Sequence, residues 1–272
     1  MLWVHSLVTI LFFLLMPFRS SRAASDLFLV GARPAGLAGA FIALADDANS
    51  PFLNPAGMPQ LKRVELTSDY AVLYGVDGLG QITVSGVAPT PIGAFGLFVH
   101  QLGGTLYRES TLGLAYGRTL GPYVAVGALA RLQRLSIERY GSVGDLAIDT
   151  GVLFHLPQGV RLGIVARNLY PTERSSFAPR SPVILQTGIS HTSGRLSVNL
   201  QTDYDSRFGF STAIGQEFRI GGMLMLRAGL RTQPSVASFG LGIALPHIEA
   251  ACSVTIHPIL GRTSRFSLTC RL

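Results

Sequence analysis

Five histidines, His100, His155, His191, His247 and His257, follow the opening stretch of the chain. A histidine beside a serine is what a lipid-modifying enzyme needs, because the imidazole takes the hydroxyl proton as attack begins. No serine motif accompanies any of them. Most fall at turns or strand ends, which reads as solvated loop histidines with one, His100, facing inward. Asp46 and Asp47 set two carboxylates side by side and would suit a cation; the commoner role of such a pair is to end a helix. No metal-ligand spacing is visible, and no catalytic residue, metal or cofactor is expected. Cys252 and Cys270 are too few for a disulfide framework. They share the apolar parity of neighbouring strands without standing opposite each other, so free thiols are expected.

A glycine-rich stretch offers phosphate chemistry instead. Residues 27–30 are apolar, Gly31-Ala32-Arg33-Pro34-Ala35-Gly36 follows, and a helical pattern begins at Leu37. That is the strand, glycine turn and helix order of a dinucleotide fingerprint. Arg33 stands where the second glycine must let backbone approach a pyrophosphate. The acid that should hold a ribose, roughly 20 residues on, has no βαβ unit around it. Nucleic acid is an equally poor fit. The net charge is +7, but Lys62 is the single lysine and the arginines are not gathered on a helix.

The elements that would position these residues are strands. Of 272 residues only 14% are charged and 48% are hydrophobic, with 31 glycines, and the mean hydropathy is +0.39. Ordinary soluble domains are about 25% charged. Residues 1–24 have the form of a secretory signal, with an apolar run over 7–18 and Ser21-Arg22-Ala23 before the cut. A retained anchor is the alternative, although the run is short of the roughly 20 residues that span a bilayer. Loss of Arg19 and Arg22 with the signal would lower the net charge from +7 to +5.

About fourteen strand candidates of roughly ten residues follow Lys62. They centre on Thr67, Val84, Phe98, Leu114, Ala128, Ile148, Ile164, Thr187, Val198, Ala213, Leu226, Phe239, Cys252 and Leu268. Many alternate with period two. In the ninth, Leu196, Val198, Leu200, Thr202 and Tyr204 share one face, and Ser197, Asn199, Gln201 and Asp203 the other. The same parity puts Glu65, Asp69, His100, Arg131, Asp149, Arg161, Arg167, Asp203, Glu217, Arg227, Arg231, Glu249 and Arg265 on polar faces and leaves the apolar faces nearly free of charge. A soluble sandwich would show that period too. Connections read as long over 103–110, 136–144 and 169–182 and short over 120–123, 156–159 and 191–195. With an even strand count and a terminal amphipathic strand, this favours a barrel. In hydrocarbon every backbone donor and acceptor needs an internal partner, so a spanning sheet must close.

Residues 31–58, GARPAGLAGAFIALADDANSPFLNPAGM, lack strand alternation. A short helix is expected over Leu37 to Ala45, ending at Asp46-Asp47, with Asn54 capping a turn that begins at Pro55. The Gly-Ala segment, Ala45-Asp46-Asp47-Ala48 and Asn54-Pro55-Ala56-Gly57 resemble the N-terminal signature of the outer-membrane barrel superfamily of FadL-like fatty-acid transporters and PorV/PorQ-like proteins. That resemblance implies an all-β fold, a closed antiparallel transmembrane β-barrel of about 14 strands over 62–272. It also implies a short helical plug within 25–61, gated through Gly36, Gly39, Asp46, Asp47, Asn54, Pro55, Ala56 and Gly57; a periplasmic arm is the alternative. The implied function is passage of hydrophobic, fatty-acid-like molecules through the outer membrane without a chemical step. The other reading is a non-transporting barrel in a secretion or envelope-assembly complex, favoured by the little length left for extracellular loops. Expected partners are outer-membrane lipid, an apolar small-molecule ligand and envelope or secretion proteins, with no nucleic acid.

Overall fold

The computed structural model describes residues 29–170 and 182–272, so the signal segment expected over 1–24 lies outside the described residues. Fourteen strands form one closed sheet: β1 (Glu65–Val72), β2 (Gly80–Thr90), β3 (Gly93–Gly103), β4 (Tyr107–Leu120), β5 (Val124–Ile137), β6 (Gly141–Leu156), β7 (Val160–Arg167), β8 (Ile184–Ser193), β9 (Leu196–Asp205), β10 (Gly209–Ile220), β11 (Leu224–Thr232), β12 (Ser235–Ala244), β13 (Ile248–His257) and β14 (Gly261–Arg271). Each pairs antiparallel with its neighbours in sequence, and β14 returns to β1, so no edge is left. The closing register sets Glu65 against Arg271 and Ala71 against Arg265. All fourteen expected strand centres fall inside these strands. With every pairing antiparallel, nothing remains of the βαβ order that a dinucleotide fold needs.

Alternation explains which way each strand faces. In β9, Ser197, Asn199, Gln201 and Asp203 are buried, while Leu196, Leu200 and Tyr204 are exposed. The same inversion recurs around the sheet, with Leu66, Leu114, Leu132, Leu241 and Phe266 turned outward. The wall turns its polar side chains inward, among buried apolar ones such as Phe98, Leu129 and Leu153, and its outer face is apolar, the reverse of a soluble domain. Cys252 faces Phe266 and Cys270 faces Ile248 across the last hairpin. The two thiols are therefore offset, and both are free.

Two expected long connections are not there. Gly103 pairs with Arg108 and Ile137 with Gly141, leaving only 104–106 and 138–140 between strands. The polar run Arg108-Glu109-Ser110 continues the ladder opposite Arg134, Leu135 and Ser136. Its polarity marks where strands leave the apolar layer, not where they leave the sheet. On that end 73–79 and 168–183 are the longer links.

Candidate functional site: the segment inside the barrel

Residues 30–61 run through the interior, and most are buried. Their helices are short: α1 (Ala32–Gly36), α2 (Ser50–Leu53) and a 3-10 turn over Pro55–Gln60. The helix expected over 37–45 does not form. Ala38, Gly39 and Ala45 all take positive φ, which breaks a right-handed helix. The Phe41 and Ile42 N–H groups donate to Gln201 Oε1 at 3.0 and 3.1 Å instead of to a preceding turn. Gly31, the first glycine of the apparent phosphate loop, has φ +86°, and a Cβ there would meet Asn49 at 2.5 Å. The Ala32 N–H donates to Ser267 Oγ at 2.7 Å, so this helix end is occupied by the wall.

Asn54-Pro55-Ala56-Gly57 is explained residue by residue. Asn54 Oδ1 accepts from the Ala56 N–H at 3.1 Å, capping the 3-10 turn that Pro55 opens. Its Nδ2 donates to the Ile42 carbonyl at 2.8 Å and tethers the two halves of the segment. Ala56 packs on Ala125 and Leu153. At Gly57 a Cβ would stand 2.1 Å from the Ala45 carbonyl oxygen, so only glycine fits. Gly36 lies against Gly240 and Arg227, and Gly39 against Arg231 and Leu29.

The wall is shaped for this segment. Side chains are missing where its backbone comes closest: Gly117 and Gly127 face Pro55, Gly151 faces Asn54, Gly163 faces Ile42, and Gly215 and Gly229 face Leu37. A Cβ at Gly127 would lie 2.4 Å from the Pro55 carbonyl carbon. Between these contacts, inward polar side chains satisfy backbone groups that no helix or sheet pairs. Arg167 donates to the Phe52 and Leu53 carbonyls at 2.9 Å each, Arg231 to Ala38 at 3.0 Å, and Ser85 to Ala48 at 2.6 Å. Phe52 meets Phe98 edge to face at 5.1 Å, within an apolar cluster with Leu37, Phe41, Leu44, Met58 and Leu129.

A chain of ion pairs alternates in sign towards the end that carries Glu65 and Arg271. Arg161 reaches Asp46 at 3.2 Å, Asp46 reaches Arg33 at 2.7 Å, and Arg33 reaches Glu217 at 2.9 Å. Glu217 holds Arg227 at 2.6 Å, Arg227 holds Glu249 at 3.2 Å, and Arg271 bridges Glu249 to Glu65 across the closing seam. Asp47 adds a second contact to Arg33 at 3.3 Å and accepts from the Asn49 N–H. Burial would raise the Asp46 carboxyl, but Arg33 and Arg161 outweigh it and hold it below the usual range. Asp47 has less support: burial raises it to about 7, against the pull of Arg33. Arg33, despite burial, is held charged by Asp46, Glu217 and Asp47. Removing one member of such a buried chain strands the others, which is costlier than never having built it.

The remaining inward residues form smaller groups. Arg131 pairs with Asp149 at 2.8 Å and donates to Asn168, while Arg167 stands 3.7 Å from Asp149. Asp203 holds Arg231 at 2.7 Å. His100 Nδ1 lies 2.8 Å from Thr83 Oγ1, with its ring beside Phe52. Asp69 accepts from Ser267, and Arg265 donates to Gln81. His257 accepts from the Ile259 and Leu260 N–H groups as a turn cap, and His155 lies near Gln60. Sequence reasoning missed Arg33, Gln186 and Gln201 as contact residues. Inward parity marks Gln186 and Gln201; for Arg33 the one local signal is the acidic pair Asp46-Asp47 in the same segment, while its other partner, Glu217, is 184 residues away.

No family model matches the chain, and no curated protein does. Solved structures do. The CymD monoaromatic hydrocarbon channel aligns with a TM-score of 0.68 at 17% identity, covering 92% of this chain and 99% of that one. A FadL homologue from Pseudomonas aeruginosa aligns at 0.65 and 15%, covering 92% and 99%. The toluene transporter TodX of P. putida aligns at 0.70 and 14%, covering 91% and 99%. At such identities the likeness is one of fold: this chain shares the architecture of those structures.

Proposed function

We propose that the protein sits in the outer membrane and passes hydrophobic, fatty-acid-like small molecules through it, with residues 31–58 acting as a plug and no chemical step. The observation that carries this reading is a barrel, apolar outside, whose interior holds a separate segment fixed by side chains rather than by sheet. In this reading such a segment closes the axis. Between the two rims, where exposed charges such as Arg118 and Arg139 lie, charged side chains face inward, as a lipid-facing wall requires: an Arg at the midplane would cost about 2–4 kcal/mol. The solved barrels of like fold are described as carriers of toluene or monoaromatic hydrocarbons, which supports an apolar cargo. Uptake of a labelled long-chain fatty acid and of toluene by cells with and without the protein tests it. Equal uptake of both sinks the transport reading.

One observation favours the second reading, a barrel that serves a secretion or envelope-assembly complex as PorV-like proteins do. Five of the seven links at the end away from the chain termini, 104–106, 138–140, 206–208, 233–234 and 258–260, have two or three residues, so outside 73–79 and 168–183 little surface is left there to capture a ligand. Envelope proteins that co-purify with the barrel, together with unchanged uptake, would establish it.

A further inference from the structure

At the end where β1 begins and β14 stops, a cavity of about 90 Å³ lies between the inner segment and strands β7 to β10. Four arginines and two acids line it. Arg33 and Arg161 are taken up by those acids: Asp46 lies between them, and Glu217 holds Arg33 on one side and Arg227 on the other. Arg195 and Arg219 are not taken up. Among the described residues neither guanidinium has an acid or a hydrogen-bond partner. They also stand directly opposite each other. β9 and β10 pair Leu196 with Phe218, and one step further the Arg219 N–H donates to the Arg195 carbonyl at 2.9 Å. Both continue an inward parity, Arg195 that of the buried Ser197 and Asn199, Arg219 that of the buried Glu217. Like charges opposed across a strand pair destabilise it. Here the opposed pair borders a cavity in which every acid is already engaged.

We propose that this cavity binds a doubly charged oxyanion, a phosphate or sulfate group, between Arg195 and Arg219. The inference goes beyond the transport reading and needs only the closed barrel with its inner segment seated. Charge argues for a dianion. Two positive charges lack a counter-charge, and each guanidinium presents a fork of N–H donors that matches tetrahedral oxygens. Hydroxyls argue for an acceptor. Thr192 Oγ1 and Ser197 Oγ lie 2.6 Å apart in the same lining, so one donates to the other and the second O–H is left to donate to a ligand. Size agrees: where about 10–15 Å³ admits one water, this cavity has room for a tetrahedral ion. Asp46 and Glu217 do not expel it, because each is flanked by two arginines. The ion turns a repulsive pairing on the β9–β10 ladder into a bridge, and it rests beside Arg33 and Leu44 of the inner segment.

The test uses the whole detergent-solubilised protein and inorganic phosphate, measured by equilibrium dialysis at fixed ionic strength. Wild type should bind phosphate saturably, with sulfate competing and acetate competing about tenfold less well. Arg195→Gln with Arg219→Gln should weaken phosphate binding about tenfold or more. Arg118→Gln, which removes an exposed arginine outside the cavity, should leave it unchanged. The double variant also relieves the like-charge pair, so it should melt above wild type in phosphate-free buffer of low salt. Phosphate should then raise the melting temperature of wild type and leave that of the variant where it is. A gel shift between unboiled and boiled samples shows that each variant is folded. Dodecyl phosphate separates two sources of the same group: tighter binding than inorganic phosphate marks the headgroup of an amphiphile, equal binding marks the free ion, and both uphold the site. Phosphate binding that survives in the folded double variant overturns the proposal. So does acetate that competes as well as sulfate, which would mark mere screening of positive charge. Folded wild type that binds no phosphate saturably overturns it outright.

Discussion

Asn54 does two jobs with one amide, and its replacement should separate the inner segment from the wall. Its oxygen caps the turn at Pro55, and its nitrogen ties that turn to Ile42. Loss of a cap costs about 0.5–2 kcal/mol, small beside a closed sheet. Asn54→Ala should therefore leave the barrel intact and speed hydrogen exchange over residues 40–60; unchanged exchange would show that the amide contributes nothing to the seat. Asp47 gives the segment a pH dependence. Burial pushes its folded pKa up to about 7, well above the ordinary range for a carboxyl. The folded state then keeps a proton that the released state gives up, so the seat strengthens as pH falls from about 8 to about 5. Melting measured at the two pH values should show this, and Asp47→Asn should flatten the difference. Asn54 was legible in sequence because cap, proline and turn are adjacent. Gln201 was not legible as a contact residue, because its partner Phe41 lies 160 residues away and parity names a face without naming what lies against it. Arg33 has near partners in Asp46 and Asp47, but only the fold of the segment brings them to it beside Glu217.

Strands were legible because alternation is local and recurs in many of the fourteen, from Leu66 on β1 to Leu268 on β14. Their ends were not. Arg108 and Glu109 look like loop residues, yet β4 carries them in register with β5, because a paired strand beyond the apolar layer tolerates polar side chains. The expected helix over 37–45 failed for a related reason. Small residues suggest helix only if backbone bonds stay local, and here the wall supplies the acceptors. That wall is itself testable. A Cβ at Gly127 would stand 2.4 Å from the Pro55 carbonyl carbon and 2.5 Å from the Ala56 nitrogen, and the bulk of valine cannot turn elsewhere on an inward position. Gly127→Val should displace the segment while β-propensity keeps β5 in the sheet. The expected result is an unboiled band that still migrates fast, with new protease cuts within 31–58. A band that no longer shifts would mean that the segment is needed for closure.

The molecule as a whole sets a closed sheet, whose backbone bonds are complete without the inner segment, around a segment whose bonds depend on the sheet. That dependence runs one way, so deleting residues 31–58 should leave a folded barrel with an open axis. It would also leave Arg161, Glu217 and Arg167 without Asp46, Arg33 and the Phe52 carbonyl. Water entering the emptied interior would solvate them, which is why the sheet survives a loss that a dry core would not tolerate. In planar bilayers the deletion should conduct small ions well above wild type. If the protein transports apolar cargo, the same deletion should abolish its selective uptake, since a water-filled axis offers such cargo no favourable path. If it is a scaffold, conductance should still rise, apolar uptake should stay at the level of cells without the protein, and partner assembly should suffer. Equal, low conductance of wild type and deletion would mean that the segment does not close the axis, and the plug would have to be given up.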